Sequence, residues 1–506
     1  MSQSQIDKAT EPQPPRDGTA GSAAPKVLPR QWIGLGLGVV LAVAVRLIAP
    51  DSLSADGKNV AAVATLMAVW WMTEAIPLPA TALMPLILFP LLGNAPLSEV
   101  APPYASETIF LFMGGFILAV AMQRWNLHTR FALATVLLVG TSPVRMIAGF
   151  MIATGLLSMW ISNTATAVMM LPIGVAVLGL VAQLGDGRRD PNFATALMLG
   201  IAYAASIGSL GTVIGTPPNA FLREYLSSEH DINIGFFQWM LFGVPLAAVF
   251  LVIAWFVLTK IVFRPTITDI PGGREMIAER KRDLGPMSHA EKTVLAVFTL
   301  AAVSWVVVPQ LDDVWEWPAR FGDAGVAVTA AILLFMLPAD RDNSRRVLVW
   351  EDTKELPWGI LLLFGGGLAL SSQFGASGLS AWVGEQVTGL DAIPVVLLVI
   401  AIVALVLFLT ELTSNTATAA TFLPIMGGVA LGLGLDPMLL VVPVALAATC
   451  AFMLPVATPP NAIVFGSGHV TIGQMVRGGA LLNIMAIVVV TLGVYTLGAL
   501  VLGITL

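Results

Sequence analysis

The stretch Ser162-Asn163-Thr164-Ala165-Thr166-Ala167, which runs on to Leu171-Pro172-Ile173, returns unchanged 252 residues later as Ser414-Asn415-Thr416-Ala417-Thr418-Ala419 with Leu423-Pro424-Ile425. Each copy interrupts an apolar stretch, 146–183 in the first case and 393–432 in the second. Backbone left without helical partners at membrane depth is tolerated only where protein, water or ligand satisfies it. The pair therefore predicts two re-entrant hairpins, each entering and leaving on one side, with polar tips inside the membrane. A second motif, Thr216-Pro217-Pro218-Asn219-Ala220, recurs as Thr458-Pro459-Pro460-Asn461-Ala462, at an offset of 242. A shorter turn in place of the polar stretch Gly185 to Asn192 accounts for the ten-residue difference. The match of Met113-Gly114-Gly115 with Phe364-Gly365-Gly366 carries less weight, because Leu/Ala/Val-rich sequence produces accidental similarity.

The solvent for most of this chain is lipid. Of its 506 residues 57% are hydrophobic and 11% charged, and the mean hydropathy is +0.86. Apolar segments of spanning length fall near 31–50, 59–77, 78–93, 107–123, 194–215, 239–263, 292–309, 324–338, 356–372, 436–456 and 475–504. The fold class is thus an all-α polytopic membrane protein: eleven transmembrane helices plus two re-entrant hairpins in two inverted repeats. Residues 1–30 read as a disordered cytoplasmic tail and 31–58 as the first span and outer loop. Repeat one is 59–263, a cytoplasmic linker 264–291, and repeat two 292–506. Stretches 124–143 and 374–390 read as amphipathic helices at the interface, each joining a span to its hairpin.

Orientation follows from the basic residues. With the N-terminus inside, only Arg46, Lys58, Arg223 and Arg320 of the 25 Lys and Arg fall outside. This sets the chain in the cell inner membrane as a multi-pass protein, with a cytoplasmic N-terminus and a periplasmic C-terminus. Five crossings per half is an odd number, so the halves are inverted relative to each other. Inverted repeats with discontinuous helices are the architecture of secondary transporters, with the site at the repeat interface.

Several function classes drop out. Nucleic acid is not an expected partner. Cys450 is the only cysteine, and His128, His230, His289 and His469 are scattered, so neither a disulfide framework nor a His/Cys metal centre is expected. An intramembrane hydrolase lacks a metal-ligand cluster and a nucleophile–base pair, so no enzyme is expected. An anion channel is the alternative of another class, which gradient-driven accumulation would exclude.

The motifs suit charged small cargo. Asn and Thr offer donors and acceptors, the N-termini of half-helices offer partial positive charge to carboxylates, and carbonyls with hydroxyls suit a hard cation such as sodium. Consecutive prolines remove two N–H donors and break the span that carries them. No Lys or Arg lies in these motifs, so bound cations and helix dipoles must balance an anionic substrate, which is a physical reason for coupling. Two nearby acids are ambiguous. Glu74, at the end of span two, reads equally as a proton relay or an anchoring cap, and Glu411, three residues before Ser414, as a functional acid or a structural hydrogen-bond acceptor. Gly114-Gly115 and Gly365-Gly366-Gly367 read as close-packing positions, and Trp160 with Met169-Met170 as core.

Both Ser-Asn-Thr tips, both Thr-Pro-Pro motifs and the segment Trp70-Trp71-Met72-Thr73-Glu74-Ala75-Ile76-Pro77 resemble the divalent anion/sodium symporter family, over about Gln31 to Leu506. The resemblance implies a homodimer whose transport domain moves elevator-fashion against a scaffold, and a small dicarboxylate as substrate. It implies substrate contacts from Asn163, Thr164, Thr216, Pro217, Asn415, Thr416, Thr458 and Pro459. One sodium site maps to Ser158, Ser162, Asn163 and Gly215, and the second to Thr410, Thr413, Asn415 and Ala457. Thr413 stands where relatives carry Ala, a modest departure if only its carbonyl coordinates. The expected activity is sodium-coupled symport of C4 dicarboxylates such as succinate, fumarate or malate. Cation-independent exchange and carriage of sulfate or citrate are the alternatives. Sodium ions enter as coupling ions, and no other cofactor is expected.

Overall fold

Proline opens the helices of this protein and glycine lets them touch. The computed structural model describes residues 29–140, 142–184, 190–270, 272–311, 317–342, 344–386 and 393–506. The predicted tail up to residue 28 and most of the turn 185–192 lie outside the described residues. The first part of the chain holds α1 (Pro29–Ile48), α2 (Ala55–Thr73), α3 (Leu78–Thr81), α4 (Met84–Leu92), α5 (Leu97–Val100), α6 (Glu107–Arg124) and α7 (Leu127–Val139). Hairpin one follows as α8 (Pro143–Ser158) and α9 (Asn163–Leu184), then α10 (Pro191–Ser209), α11 (Pro217–His230) and α12 (Phe236–Phe256). Next come α13 (Gly273–Asp283), α14 (His289–Val307), α15 (Trp317–Met336), α16 (Trp358–Ala376) and α17 (Leu379–Gln386). Hairpin two is α18 (Val395–Thr410) and α19 (Asn415–Gly432), followed by α20 (Pro437–Thr449), α21 (Pro459–Gly466) and α22 (Ile472–Gly493). No β-strand occurs among the described residues, only an isolated bridge between Pro338 and Arg346.

Eight of the described helices are long and apolar enough to cross a membrane. The hairpin arms α8 and α18 and the half-span α20 are shorter, as an interrupted path through lipid requires. Pro143, Pro191, Pro217, Pro437 and Pro459 each stand at the start of a helix, where a missing N–H costs nothing and φ is already set. The α12 and α22 helices both end in π-helical turns, at Val257–Val262 and Val494–Leu502.

The small residues pack as expected. A Cβ on Gly114 would sit 2.6 Å from the carbonyl carbon of Ala327 in α15, and one on Gly366 would sit 2.2 Å from the carbonyl oxygen of Ala82. The tightest functional approach joins hairpin one to the broken span: a Cβ on Gly208 would lie 2.3 Å from the Gly155 carbonyl oxygen. Backbone therefore touches backbone between α8 and α10.

Three expectations are refined. The span predicted over 436–456 ends as helix at Thr449, and the one over 194–215 ends at Ser209, so each break is several residues longer than the Pro-Pro pair alone demands. The linker 264–291 is not featureless. It folds α13, whose Ile277 is fully buried, and Arg130 of α7 is clamped there. The Arg130 Nε donates to Glu291 (2.9 Å) and its Nη1 to the Gly285 carbonyl (2.9 Å), while Glu291 also closes a capping box with Ser288. Glu74 ends α2 in a left-handed conformation (φ 49°), and its carbonyl accepts from Gln31 Nε2, which favours the capping reading.

Candidate functional site

Each hairpin tip opens where an apolar arm ends in a hydroxyl residue. In hairpin one the last residue of α8 is Ser158, and its Oγ lies 2.8 Å from Asn163 Oδ1 and 2.6 Å from the Ala205 carbonyl oxygen of α10. In hairpin two the last residue of α18 is Thr410, and its Oγ1 lies 2.8 Å from both Asn415 Oδ1 and the Ala448 carbonyl oxygen of α20. Ser158 and Thr410 are fully buried. Each trio brings three oxygens to hydrogen-bond distance with a single hydroxyl proton between two acceptors. One short oxygen–oxygen contact per trio has no proton, and a hard monovalent cation among hydroxyl, amide and carbonyl oxygens is the chemistry that fits.

The broken spans are braced alike. Asn219 donates Nδ2 to the carbonyls of Thr212 (2.9 Å) and Ser209 (3.4 Å), and Asn461 donates to those of Leu454 (3.0 Å) and Ala451 (3.1 Å). These partners keep the 242-residue offset of the Thr-Pro-Pro-Asn motifs. The amide of Gly215 donates to the Thr212 carbonyl and that of Ala457 to the Leu454 carbonyl. The Oδ1 atoms of Asn219 and Asn461 are buried with no donor among the described residues. Leaving such an acceptor unpaired costs about 1–3 kcal/mol, so both breaks stand ready to accept a ligand donor or cation.

The two halves meet at Thr216 and Thr449, whose hydroxyl oxygens are 3.5 Å apart. Asn163 is held from its other side, its Nδ2 donating to Ser209 Oγ at 3.3 Å. Gly215 folds onto the same Ser209, with its Cβ position 2.2 Å from the Ser209 carbonyl oxygen, so only glycine fits there. Ser158, Asn163, Ser209 and Gly215 thus form one connected group. Ser162 is the cap of α9, its Oγ accepting from Ala165 N (3.3 Å), and Thr458 caps α21 by accepting from Asn461 N (3.3 Å). The Thr413 hydroxyl donates to the Leu409 carbonyl (2.9 Å) and lies 2.7 Å from Thr418 Oγ1, so its carbonyl is the group left for a ligand. Thr164 and Thr416 occupy the first turns of α9 and α19, Thr164 exposed and Thr416 buried, and Pro217 and Pro459 open α11 and α21.

Glu411 is where the halves part. Its Oε1 accepts from Phe452 N (2.7 Å), Met453 N (2.8 Å) and Asn483 Nδ2 (2.8 Å), and its Oε2 from Leu454 N (3.0 Å). A buried carboxylate holds three consecutive amides of the second break. The position equivalent to Glu411 at the 252-residue offset is Met159. There the first break is held by neutral groups, Thr212 Oγ1 donating to the Met159 carbonyl and Trp239 Nε1 to the Leu210 carbonyl (3.1 Å).

Several residues at the site carry no signal in the sequence. Ser209 and the Ala205 and Ala448 carbonyls carry no motif, and Asn219 and Asn461 stand in the Thr-Pro-Pro-Asn motifs with no role that sequence alone assigns. Asp190-Pro191 and Asp436-Pro437 are a duplicated dipeptide that opens both broken spans. Asp190 caps α10 by accepting from Asn192 N and Phe193 N and ties down Thr266 and Ile267 beyond α12. Asp436 caps α20 by accepting from Met438 N and ties down Thr505 beyond α22. Burial pushes the Asp190 carboxyl upward, but bonds from Phe193, Ile267 and Thr266 outweigh it and hold the group below the usual range.

Among the described residues no group of three His, Cys, Asp or Glu could hold a metal, so the oxygen trios are the cation-binding candidates. A family model described as the sodium:sulfate symporter transmembrane region matches residues 30–504. The chain belongs to this family. Within the sodium:sulfate symporters it is 45% identical over 480 residues to a sodium-dependent dicarboxylate transporter, SdcS, of Staphylococcus saprophyticus, covering 94% of this chain and 92% of the relative. A protein of the same description from Staphylococcus aureus is 44% identical over the same length. Two solved transporters share the fold. The YdaH transporter of Alcanivorax borkumensis has a TM-score of 0.57 at 15% identity, over 87% of this chain and 99% of that one. MtrF of Neisseria gonorrhoeae, described with a class of antimetabolite efflux pumps, has a TM-score of 0.52 at 14% identity, over 93% and 95%. At such identities they speak for the fold alone. The chain is a multi-pass, all-helical membrane transporter of this symporter family, and the reading as a non-enzyme agrees with its relatives.

Proposed function

We propose that this protein is a secondary active transporter that carries C4 dicarboxylates such as succinate, fumarate or malate into the cytoplasm together with sodium. The observation that carries the reading is the duplicated oxygen trio, Ser158–Asn163–Ala205 and Thr410–Asn415–Ala448, one at each tip. Sodium at each trio supplies the positive charge that the motifs lack. The dicarboxylate then sits between the tips, against Asn163, Thr164, Asn415 and Thr416, with Thr216, Pro217, Thr458 and Pro459 closing it in. Ser162 and Gly215 complete the first sodium set beside Ser158 and Asn163, and Thr413 and Ala457 the second beside Thr410 and Asn415. A half-filled site is electrostatically penalised, which couples cation to anion. The sodium-dependent dicarboxylate relatives support this choice of substrate over sulfate.

The path is eleven spans and two re-entrant hairpins in inverted halves, repeat one at 59–263 and repeat two at 292–506. The N-terminus is cytoplasmic and the C-terminus periplasmic in the inner membrane, and the assembly is a homodimer. Helices α8–α12 and α18–α22 carry the site and move elevator-fashion against the others. Purified protein in liposomes should accumulate labelled succinate under an inward sodium gradient. Uptake indifferent to that gradient would overturn the coupling, and counterflow with sulfate or citrate but not succinate would overturn the substrate.

A further inference from the structure

Arg223 lies five residues beyond Pro218 on α11, in the half-span that leaves the site. Its side chain is 13% exposed, and its Nη2 is 3.0 Å from Asp323 Oδ2 and 4.0 Å from Glu107 Oε1. Asp323 is 7% exposed, whereas Glu107, at the start of α6, is 60% exposed. Asp323 is heavily committed: its Oδ2 also accepts from Phe236 N (2.9 Å) at the start of α12, and its carbonyl accepts from Trp305 Nε1 (3.0 Å). The chain is bent to make this arrangement. Gly322 adopts φ 59°, ψ −177°, a conformation open essentially only to glycine, and a Cβ there would stand 2.8 Å from Glu107 Oε1.

The same cluster reaches the tip of hairpin one. The Trp305 ring stacks on Phe236 (4.2 Å between centroids) and on Trp160 (6.2 Å, 20° between planes), and Trp160 lies two residues before Ser162. Trp160 also meets Phe298 of α14 edge-on at 4.9 Å. One contiguous set of contacts therefore joins tip one and the start of α12 to α14 and α15, with the Arg223–Asp323 pair at its end.

We propose that Arg223 is the catch of the translocation step: it fastens the half-span α11 to Asp323, and Glu107 at the solvent edge is the second station to which the guanidinium passes as the site-bearing helices shift. This rests on the moving-domain reading above. A buried pair adds little net stability over well-packed apolar residues, but a charge removed from its partner must find another. Two carboxylates 3.0 and 4.0 Å from one nitrogen, the nearer buried and the farther exposed, supply that succession. Arg223 Nη1 is buried without a partner among the described residues, so the inner station is incompletely satisfied and can be left. Arg223 and Asp323 are positioning residues, and neither lies in the tip motifs.

The structure supplies a gauge for the fastened state. A Cβ on Gly115 of α6 would lie 3.6 Å from the Ile214 Cβ in the first break, which is disulfide distance. Cys450 is the only cysteine, so Cys450→Ser provides a cysteine-free background. In that background Gly115→Cys/Ile214→Cys protein in proteoliposomes is oxidised with copper-phenanthroline, and the cross-linked fraction is followed with time. Arg223→Gln and Asp323→Asn should each lower the initial rate by about fivefold or more as the population shifts, and Arg223→Lys should stay within about twofold. Without the cysteine pair, Glu107→Gln should lower the maximal uptake rate and leave the succinate half-saturation unchanged. Unchanged cross-linking in folded Arg223→Gln and Asp323→Asn protein overturns the proposal, as does wild-type uptake by Glu107→Gln. A merely structural pair would lower the melting temperature and leave cross-linking per folded molecule as it was. Should Arg223→Gln not fold, Asp323→Asn carries the test, since Asn still accepts from Phe236 N. Cross-linking needs no substrate, so a failure of succinate uptake in the parent would strike the substrate reading alone.

Discussion

The two tips are built to one plan and braced by two different means. Ser158 and Thr410 play the same part against Asn163 and Asn415, and Asn219 and Asn461 hold their breaks through the same relative carbonyls. The first break is then secured by neutral donors, the second by the Glu411 carboxylate on three successive amides. Geometry was copied, while the electrostatics diverged. The second tip consequently lies beside a buried acidic side chain where the first has Met159.

That contrast is sharpest at Glu411. Replacing it with Ala strands three backbone amides and Asn483, at about 1–3 kcal/mol for each donor that water cannot reach, so the folded transporter should be lost. Met159→Leu, a volume-conserving change at the equivalent place, should cost less than about 1.5 kcal/mol. Thermal melting followed by size-exclusion chromatography checks both, and an equal fall would erase the asymmetry.

Asn163→Ala and Asn415→Ala should each abolish succinate uptake while leaving membrane insertion intact, because each removes one oxygen from a trio and one tip amide. An active double variant would refute the site. The hydroxyls are subtler. Ser158→Ala and Thr410→Ala should each raise the sodium half-saturation about tenfold, equivalent to roughly 1.4 kcal/mol. Sodium titrations of uptake at saturating succinate check this.

The smallest expected effect concerns the duplicated caps. Asp190→Asn and Asp436→Asn each keep a capping acceptor, so the loss should be about 1 kcal/mol or less. For Asp190 the folded carboxyl is held below its ordinary range, so its stabilisation is present above the unfolded pKa and is lost as pH falls through the folded one. The difference in melting temperature between the parent and Asp190→Asn should therefore shrink on acidification below the ordinary carboxylate range.

Much of this was legible in the sequence because duplication marks it. Identical hexapeptides located both tips, and the Pro-Pro pairs located both breaks to within a turn or two. What stayed hidden depends on partners far apart in the chain. The break before Pro459 begins at Cys450 because Glu411 captures the amides of Phe452 to Leu454, and no local signal announces a carboxylate 41 residues upstream. The Ala205 and Ala448 carbonyls belong to residues with no chemistry of their own. Arg223 reads in sequence only as a basic residue outside the membrane, since its pairing with Asp323 spans 100 residues and depends on the backbone of Gly322. The linker helix α13 carries alternating charge that reads as solvent-exposed loop, and the buried Ile277 anchors it.

The contact of Gly155 with Gly208 sets the spacing of the first tip from the broken span behind it. Ser158 lies one turn beyond Gly155, and Ala205 one turn before Gly208, so the span between their oxygens is set by two backbones already touching. The two helices can approach no further there, because their backbones are already in contact. In the second half the equivalent positions are Leu407 and Cys450, both buried. The first tip is thus braced backbone against backbone, whereas the second has side chains at the corresponding places.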